Sequence, residues 1–226
     1  SQATGIAVGE DLRYQVRRAI ETLGKGFLDG ETITRLQSDE QACQRFYAEI
    51  LQVVYRSLFL LFAEQRGMIP RRGTRSTLYA DEYSLARLRA RAEGDIPLHD
   101  EHGDVWAGLQ VTFKLVRQGA DELGVFGYDG MLFEDNHAPG EAFLRGRACR
   151  NGELLQAIRF LTLVEREGAL QRISYADLGV EELGSIYESL LDYTPRVTRT
   201  AEEIGGEAVA ANSFCLDPRG SERKTT

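Results

Sequence analysis

The chain has 226 residues, 42% of them hydrophobic and 27% charged, as expected for a globular protein with one sizeable apolar core. The formal net charge of −8 argues against a free-standing nucleic-acid binder, because neutralising phosphates requires clustered Lys and Arg; it does not exclude one part of a larger DNA enzyme. The cysteines, Cys43, Cys149 and Cys215, form no CxxC pair and indicate neither a zinc knuckle nor a secreted disulfide framework. We therefore expect a cytoplasmic protein.

Two helices are predicted in the first third of the chain. The first covers residues 10–23, whose apolar side chains share one face, and Gly24 and Gly26 are expected to stop it. The second begins at Ser38, where Ser-Asp-Glu-Gln has the pattern of a capping box, and continues to Arg66. Its most apolar window, residues 51–63, is shorter than the roughly 20 residues of a membrane span. We therefore predict a long, buried central helix and no membrane partner.

The middle of the chain is predicted to form shorter helices joined by loops. A short helix around residues 83–89 precedes a polar stretch, after which Asp104 is expected to N-cap a helix that closes at Gly119. Residues 124–141 contain glycines among aromatic residues and are predicted to form a structured loop. Asn151 is expected to cap the next helix.

The last part of the chain is predicted to contain a short extended piece over residues 170–175, a docking helix and a linker. The docking helix is indicated by apolar residues at i, i+3, i+4, i+7 and i+8. These residues are Leu183, Ile186, Tyr187, Leu190 and Leu191. After Pro195 large apolar residues become few, as in a polar linker. The predicted fold is all-α, with a helical domain over residues 1–194 and a linker over residues 195–226.

A basic cluster follows the predicted central helix and is the best nucleic-acid candidate in the sequence. It consists of Arg66, Arg71, Arg72 and Arg75. Arginine side chains suit phosphate contact, although arginines after a helix C-terminus are also favoured by the helix dipole and by solvation. A second, weaker cluster consists of Arg145, Arg147 and Arg150.

Two other segments contain residue types found in binding sites and are predicted to be loops. His99-Asp-Glu-His102 offers metal-ligand side chains, but it follows Pro97 in a polar stretch rather than on a regular helix, so a solvated acidic loop is favoured. Asp217-Pro-Arg-Gly-Ser221 is superficially similar to the DPxxGSG loop that binds S-adenosylmethionine, but turn or linker chemistry explains it. The sequence contains no Asn-Pro-Pro-aromatic tetrad, and we predict no catalytic, cofactor-binding or metal-binding residue.

Several segments, in order, resemble the helical region of type IIG-like restriction-modification enzymes and of related BREX and DISARM adenine-specific DNA methyltransferases. The most specific is residues 173–191, from Ile-Ser-Tyr to Glu-Ser-Leu-Leu. The others are Leu12-Arg13, Ala19 to Gly24, Tyr55 to Gly67, Tyr128 to Phe133, Asn151 to Leu155, and Glu222 to Thr226. In that family a helical connector precedes an S-adenosylmethionine-dependent catalytic domain and a target-recognition domain, and some members carry an upstream nuclease.

The resemblance implies a non-catalytic connector of a phage-defence or restriction-modification enzyme. Its partners would be its own methyltransferase domain, expected beyond Thr226, and double-stranded DNA. S-adenosylmethionine is expected in the parent protein and not in this region, and whether the parent also cleaves DNA stays open. The alternative is a self-standing helical module for protein–protein interaction, which the negative charge favours.

Overall fold

The computed structural model describes residues 2–97, 99–128, 130–135 and 142–218, with side chains described from Asp11 onward. The described helices are α1 (Gln2–Gly26), α2 (Gly30–Ser38), α3 (Glu40–Gln65), α4 (Leu85–Glu93), α5 (Asp104–Gln118), α6 (Asn151–Thr162) and α7 (Val180–Leu190), with a π-helical turn at Tyr79–Tyr83 and a 3₁₀ turn at Asp121–Leu123. The described strands are β1 (Leu163–Arg166), β2 (Ala169–Arg172), β3 (Tyr193–Val197), β4 (Glu202–Ile204), β5 (Glu207–Val209) and β6 (Phe214–Pro218).

The prediction of an all-α fold is wrong, because the chain is about 54% helical and 13% strand. The strands form three antiparallel pairs, β1–β2, β3–β6 and β4–β5. Residues 205 and 206, the two glycines taken as part of a linker, form the turn between β4 and β5 with φ values of 60° and 84°. Gly-Gly with positive φ at both positions suits a two-residue hairpin turn. The short extended piece near residue 170 is likewise one strand of a hairpin, β1–β2.

The polar linker predicted after Pro195 is wrong for the described residues up to Pro218. Strand β6 pairs with β3 from Phe214 opposite Val197 to Pro218 opposite Tyr193. Phe214, Cys215 and Leu216 are almost fully buried. The strand pair therefore belongs to the packed body, and of the predicted linker only residues 219–226 lie outside the described part of the chain. The methyltransferase domain expected beyond them stays a prediction.

Helix α1 continues through Gly24 and ends at Gly26, the second of the two predicted stop residues. Gly24 is instead a contact point. A Cβ placed on Gly24 would lie 2.3 Å from Cδ1 of Phe214, so the missing side chain lets β6 approach the helix. The predicted capping box at Ser38 is also displaced, since Ser38 ends α2 and its hydroxyl donates to the Thr34 carbonyl. Asp39 caps α3 instead, accepting from the backbone N–H of Ala42.

Neither Asp104 nor Asn151 caps the helix that was expected of it. Asp104 is the first residue of α5 and not its cap, and Asn151 begins α6. The Asn151 Oδ1 accepts from the N–H of Val105, so this side chain caps the neighbouring helix α5. Its Nδ2 donates to Asp104 and Asp100, which ties the loop before α5 to α6.

Helix α3 is buried around most of its circumference. It is long and apolar enough to cross a membrane by length and composition, and 72% of its most apolar window is buried inside the domain. Helices α1, α2 and α4 and strand β3 pack against α3, and α1 also packs closely on α6. Helices α5 and α7 reach α3 through the Arg56–Phe113 and Tyr55–Tyr187 contacts. This packing places the end of α3, and the loop that follows it, beside the C-terminal end of α5.

Candidate nucleic-acid interface and the α3–α5 groove

The predicted basic cluster lies on a loop, residues 66–75, that backbone hydrogen bonds attach to the body near its start and at its middle. Its first turn is closed by the N–H of Met68, which donates to the Ala63 carbonyl at 2.8 Å. The N–H of Arg71 donates to the Gly124 carbonyl at 2.8 Å, which attaches the loop to the segment after α5. We call residues 66–75 the basic loop.

Arg66 differs from the other three arginines of the basic loop in having internal partners. Its guanidinium donates to the carbonyls of Ala176 and Leu178 and lies over the ring of Phe62 at 4.6 Å. These contacts hold the segment that leads into α7. The Arg66 guanidinium therefore already has partners within the protein, although the side chain is exposed.

Arg71, Arg72 and Arg75 are exposed and form no ion pair with a described residue. The Arg71 guanidinium lies 4.4 Å from the ring centroid of Phe126, an exposed aromatic, which orients it by a cation–π contact. Arg72 lies against Gly67, where a Cβ would come within 3.1 Å of its Nε. Three cations without carboxylate partners leave the basic loop positive on a chain of net charge −8. Such a surface favours an anionic partner.

The second arginine cluster is separated by the fold into two structural residues and one free residue. Arg150 donates to the carbonyls of Leu28 and Lys25 and so binds the end of α1. Arg147 donates to Thr32 and lies over the ring of Phe143. Arg145 is exposed and forms no ion pair with a described residue.

The segment from His99 to His102 is held by its own carboxylate and by Asn151. His102 Nδ1 lies 2.9 Å from Asp100 Oδ1, and Asp100 Oδ2 accepts from Asn151. The hydrogen bonds with His102 and Asn151 hold the pKa of Asp100 below its ordinary value. Among the described residues, no group of three or more His, Cys, Asp or Glu side chains is placed to hold a metal ion.

The segment that is similar to an S-adenosylmethionine-binding loop, residues 217–221, begins in a strand and not in a turn. Asp217 and Pro218 belong to β6, and Asp217 accepts from the Arg196 Nε at 2.7 Å. Arg196 also pairs with Glu202, so the carboxylate of Asp217 serves the strand pair. The remainder, residues 219–221, lies outside the described residues. The described part does not fit a cofactor loop.

The sequence reasoning missed a groove of about 480 Å³ between α3, α5 and the segment around residue 144. We call it the α3–α5 groove. Its charged lining consists of Glu49, Arg56, Lys114, Arg117, Asp135 and Arg145. Its apolar lining includes Val53, Trp106, Phe113, Phe133 and Leu144. A signal was present in the sequence, since a charged residue such as Arg56 inside an apolar helix requires a partner.

Arg56 holds one wall of the groove. It is buried, and it donates to the carbonyls of Leu132 and Glu134 and to Asp135. Its guanidinium carbon lies 5.4 Å from the ring centroid of Phe113 and 5.7 Å from that of Phe133. Burial lowers its pKa, and the Asp135 carboxylate opposes this effect.

Glu49 and Asp135 are the acidic residues of the groove, and both have partners. The Glu49 carboxylate accepts from the N–H groups of Phe143 and Leu144 at 2.7 and 3.2 Å. Asp135 bridges Arg56 at 3.4 Å and Arg117 at 3.3 Å. The positive charges of Lys114 and Arg145 are therefore left without a described partner.

The cysteines are poorly suited to nucleophilic chemistry. All three are buried, and burial raises the pKa of Cys43 and of Cys215 to about 12. The pKa of Cys149 is raised as well. Since the thiolate is the reactive form, these side chains are inert packing residues at neutral pH.

No family model matches the chain, and no curated protein or solved structure matches it either.

Proposed function

We propose that the chain is a non-catalytic scaffold that contacts the phosphate backbone of double-stranded DNA through the basic loop. The observation that carries the proposal is the trio Arg71, Arg72 and Arg75, exposed, unpaired among the described residues and attached to the body by the Arg71–Gly124 hydrogen bond. A guanidinium without a carboxylate partner is available for a phosphate. The contact is independent of base sequence, because hydrogen bonds to phosphate oxygens carry no direct information about the bases.

The parent protein, in this proposal, is an adenine-specific DNA methyltransferase of a restriction-modification or phage-defence system. This part rests on the resemblance of the ordered segments, above all residues 173–191. The scaffold positions an S-adenosylmethionine-dependent catalytic domain and does not bind the cofactor itself. Calorimetry with S-adenosylmethionine is expected to show no binding to this chain, and a saturable heat would contradict that role.

Helix α7 presents an apolar surface on which the alternative, a protein–protein interaction module, also depends. Ile186 and Leu190 of its predicted docking face are buried in the domain's own core. Val180, Tyr187 and Leu191, at i, i+7 and i+11, are 74%, 42% and 44% exposed and form an outward apolar stripe. This stripe suits either a neighbouring catalytic domain or a separate protein partner.

DNA binding separates the two functions. Fluorescence anisotropy with two duplexes of unrelated sequence is expected to give equal, weak affinities that decrease in an Arg71→Gln/Arg72→Gln/Arg75→Gln variant. The control is Arg87→Gln/Arg91→Gln, which removes charge from the exposed surface of α4. If the wild-type chain binds neither duplex, or the basic-loop variant binds as tightly as the wild type, the interaction module becomes the better account.

A further inference from the structure

We propose that the α3–α5 groove binds an organic phosphate, with Lys114 and Arg145 holding the anionic group. This inference goes beyond the proposed function, since the groove residues are separate from the arginines of the basic loop. Lys114 projects from α5, and Arg145 follows Leu144, whose backbone N–H is held by Glu49. Two walls that are fixed by different elements therefore each contribute one cation.

Charge is the first argument for an anionic ligand. Four cations and two carboxylates line the groove, and both carboxylates are engaged. Lys114 and Arg145 form no ion pair or hydrogen bond with a described residue, and both are exposed. A pair of free cations in a concave, partly apolar surface attracts an anion more strongly than the same pair on a convex surface.

The apolar lining argues for an organic molecule over a bare ion. Val53, Phe113, Phe133 and Leu144 face the same groove as the two cations. A volume of about 480 Å³ accommodates a small molecule, and small-molecule sites combine apolar walls with few polar groups. In a phosphate ester, the phosphate would contact the two cations and the carbon portion would contact the apolar side chains.

Trp106 belongs to the lining of the groove and contains a nitrogen that no described residue pairs. Its indole Nε1 is buried and has no acceptor among the described residues. Buried donors in native proteins are nearly always paired, so an unpaired one requires an explanation. An oxygen of a bound ligand would pair it only if the side chain turned toward the groove, because the nitrogen is closed to solvent in this structure.

The phosphate could be supplied by a free small molecule or by a nucleic-acid strand, and one experiment distinguishes these sources. Trp106 is the chain's single tryptophan, so its fluorescence reports binding at the groove directly. The protein is titrated separately with adenosine monophosphate, inorganic pyrophosphate and a short DNA duplex. We expect a saturable fluorescence change with adenosine monophosphate and a weaker one with pyrophosphate, which lacks a carbon portion. A change with the duplex alone would assign the phosphate to a nucleic-acid backbone.

A Lys114→Gln/Arg145→Gln variant tests whether the change arises at the proposed residues. Affinity is expected to fall at least about tenfold, because each charge-assisted contact contributes on that order. Both side chains are exposed and unpaired among the described residues, so the variant is expected to fold. The control Arg87→Gln/Arg91→Gln should bind like the wild type.

The Arg71→Gln/Arg72→Gln/Arg75→Gln variant separates this inference from the proposed function. It should keep the Trp106 response to adenosine monophosphate while it loses duplex affinity. No saturable response from any of the three probes, or an unchanged response in the Lys114→Gln/Arg145→Gln variant, would overturn the groove proposal and leave the basic-loop proposal standing.

Discussion

At the residue scale, the polar side chains buried in this protein mostly fix segments that are distant in sequence. Asn151 joins two helix starts, Arg56 holds the segment around residue 133, and Glu64 accepts from the first N–H groups of α4. The sequence predicted that Asn151 and Asp104 would each cap the helix that follows it, whereas Asn151 caps α5 and Asp104 accepts from the Asn151 amide. That assignment depends on tertiary proximity, which local spacing does not contain.

Replacing Asn151 with Ala is expected to destabilise the protein by about 1–3 kcal/mol, because the N–H of Val105 would lose its acceptor in a buried position. Asn151→Asp keeps an acceptor but places a third carboxylate beside Asp100 and Asp104. Its loss of stability should therefore be small in acid and larger at neutral pH. Urea unfolding at both pH values measures this, and a pH-independent loss would contradict the proposed network.

Glu64 gives the protein a pH dependence of defined sign. Burial raises its pKa from 4.5 to about 7, against the lowering effect of the N–H groups of Ala86 and Leu85 and the charge of Arg89. The folded state thus binds a proton more readily than the unfolded state. Its contribution to stability is full below about pH 4.5 and is lost as pH rises through 7.

The Glu64 contribution is isolated by comparison with Glu64→Gln, which cannot titrate. The difference in unfolding free energy between the wild type and this variant should shift by up to about 3 kcal/mol across that pH range, at 1.36 kcal/mol per unit of pKa shift. Urea unfolding at a series of pH values provides the measurement. A difference that does not vary with pH would show that the pKa of Glu64 is not raised.

At the element scale, long amphipathic periodicity predicted helices well and short, sparsely apolar elements poorly. The helices α1, α3, α5, α6 and α7 follow visible apolar faces. The nine-residue α2 was missed, and the β3–β6 region was taken for a linker because its large apolar residues are few. Phe214 packs against a residue 190 positions earlier, and no local pattern reveals such a contact.

Gly24 tests whether β6 belongs to the fold. Gly24→Ala should destabilise the protein by about 1–3 kcal/mol, because its Cβ would overlap the ring of Phe214. The matched control is Gly184→Ala in α7, where a Cβ meets nothing within 4 Å and the better helix propensity of Ala should stabilise by about 1 kcal/mol. Thermal unfolding compares the two, and equal stabilisation by both substitutions would show that β6 does not pack on α1.

At the scale of the whole molecule, the acidic chain has two surfaces with cations that form no ion pair with a described residue, the basic loop and the α3–α5 groove. The basic loop follows α3, and the α3–α5 groove has α3 as one wall. Both contact the segment after α5, the loop through the Arg71–Gly124 hydrogen bond and the groove through the Arg117–Asp135 ion pair. The sequence indicated the basic loop because its arginines are close together in the chain. It did not indicate the groove, whose cations come from three separate segments and meet only after folding.

The salt dependence of duplex affinity tests the central claim, phosphate contact by the basic loop, most directly. A plot of log affinity against log salt concentration has a slope of about −0.9 per neutralised phosphate. The Arg71→Gln/Arg72→Gln/Arg75→Gln variant should therefore lose about three units of slope, and Arg87→Gln/Arg91→Gln should lose none. An identical slope in the wild type and the basic-loop variant would show that these arginines do not contact phosphate.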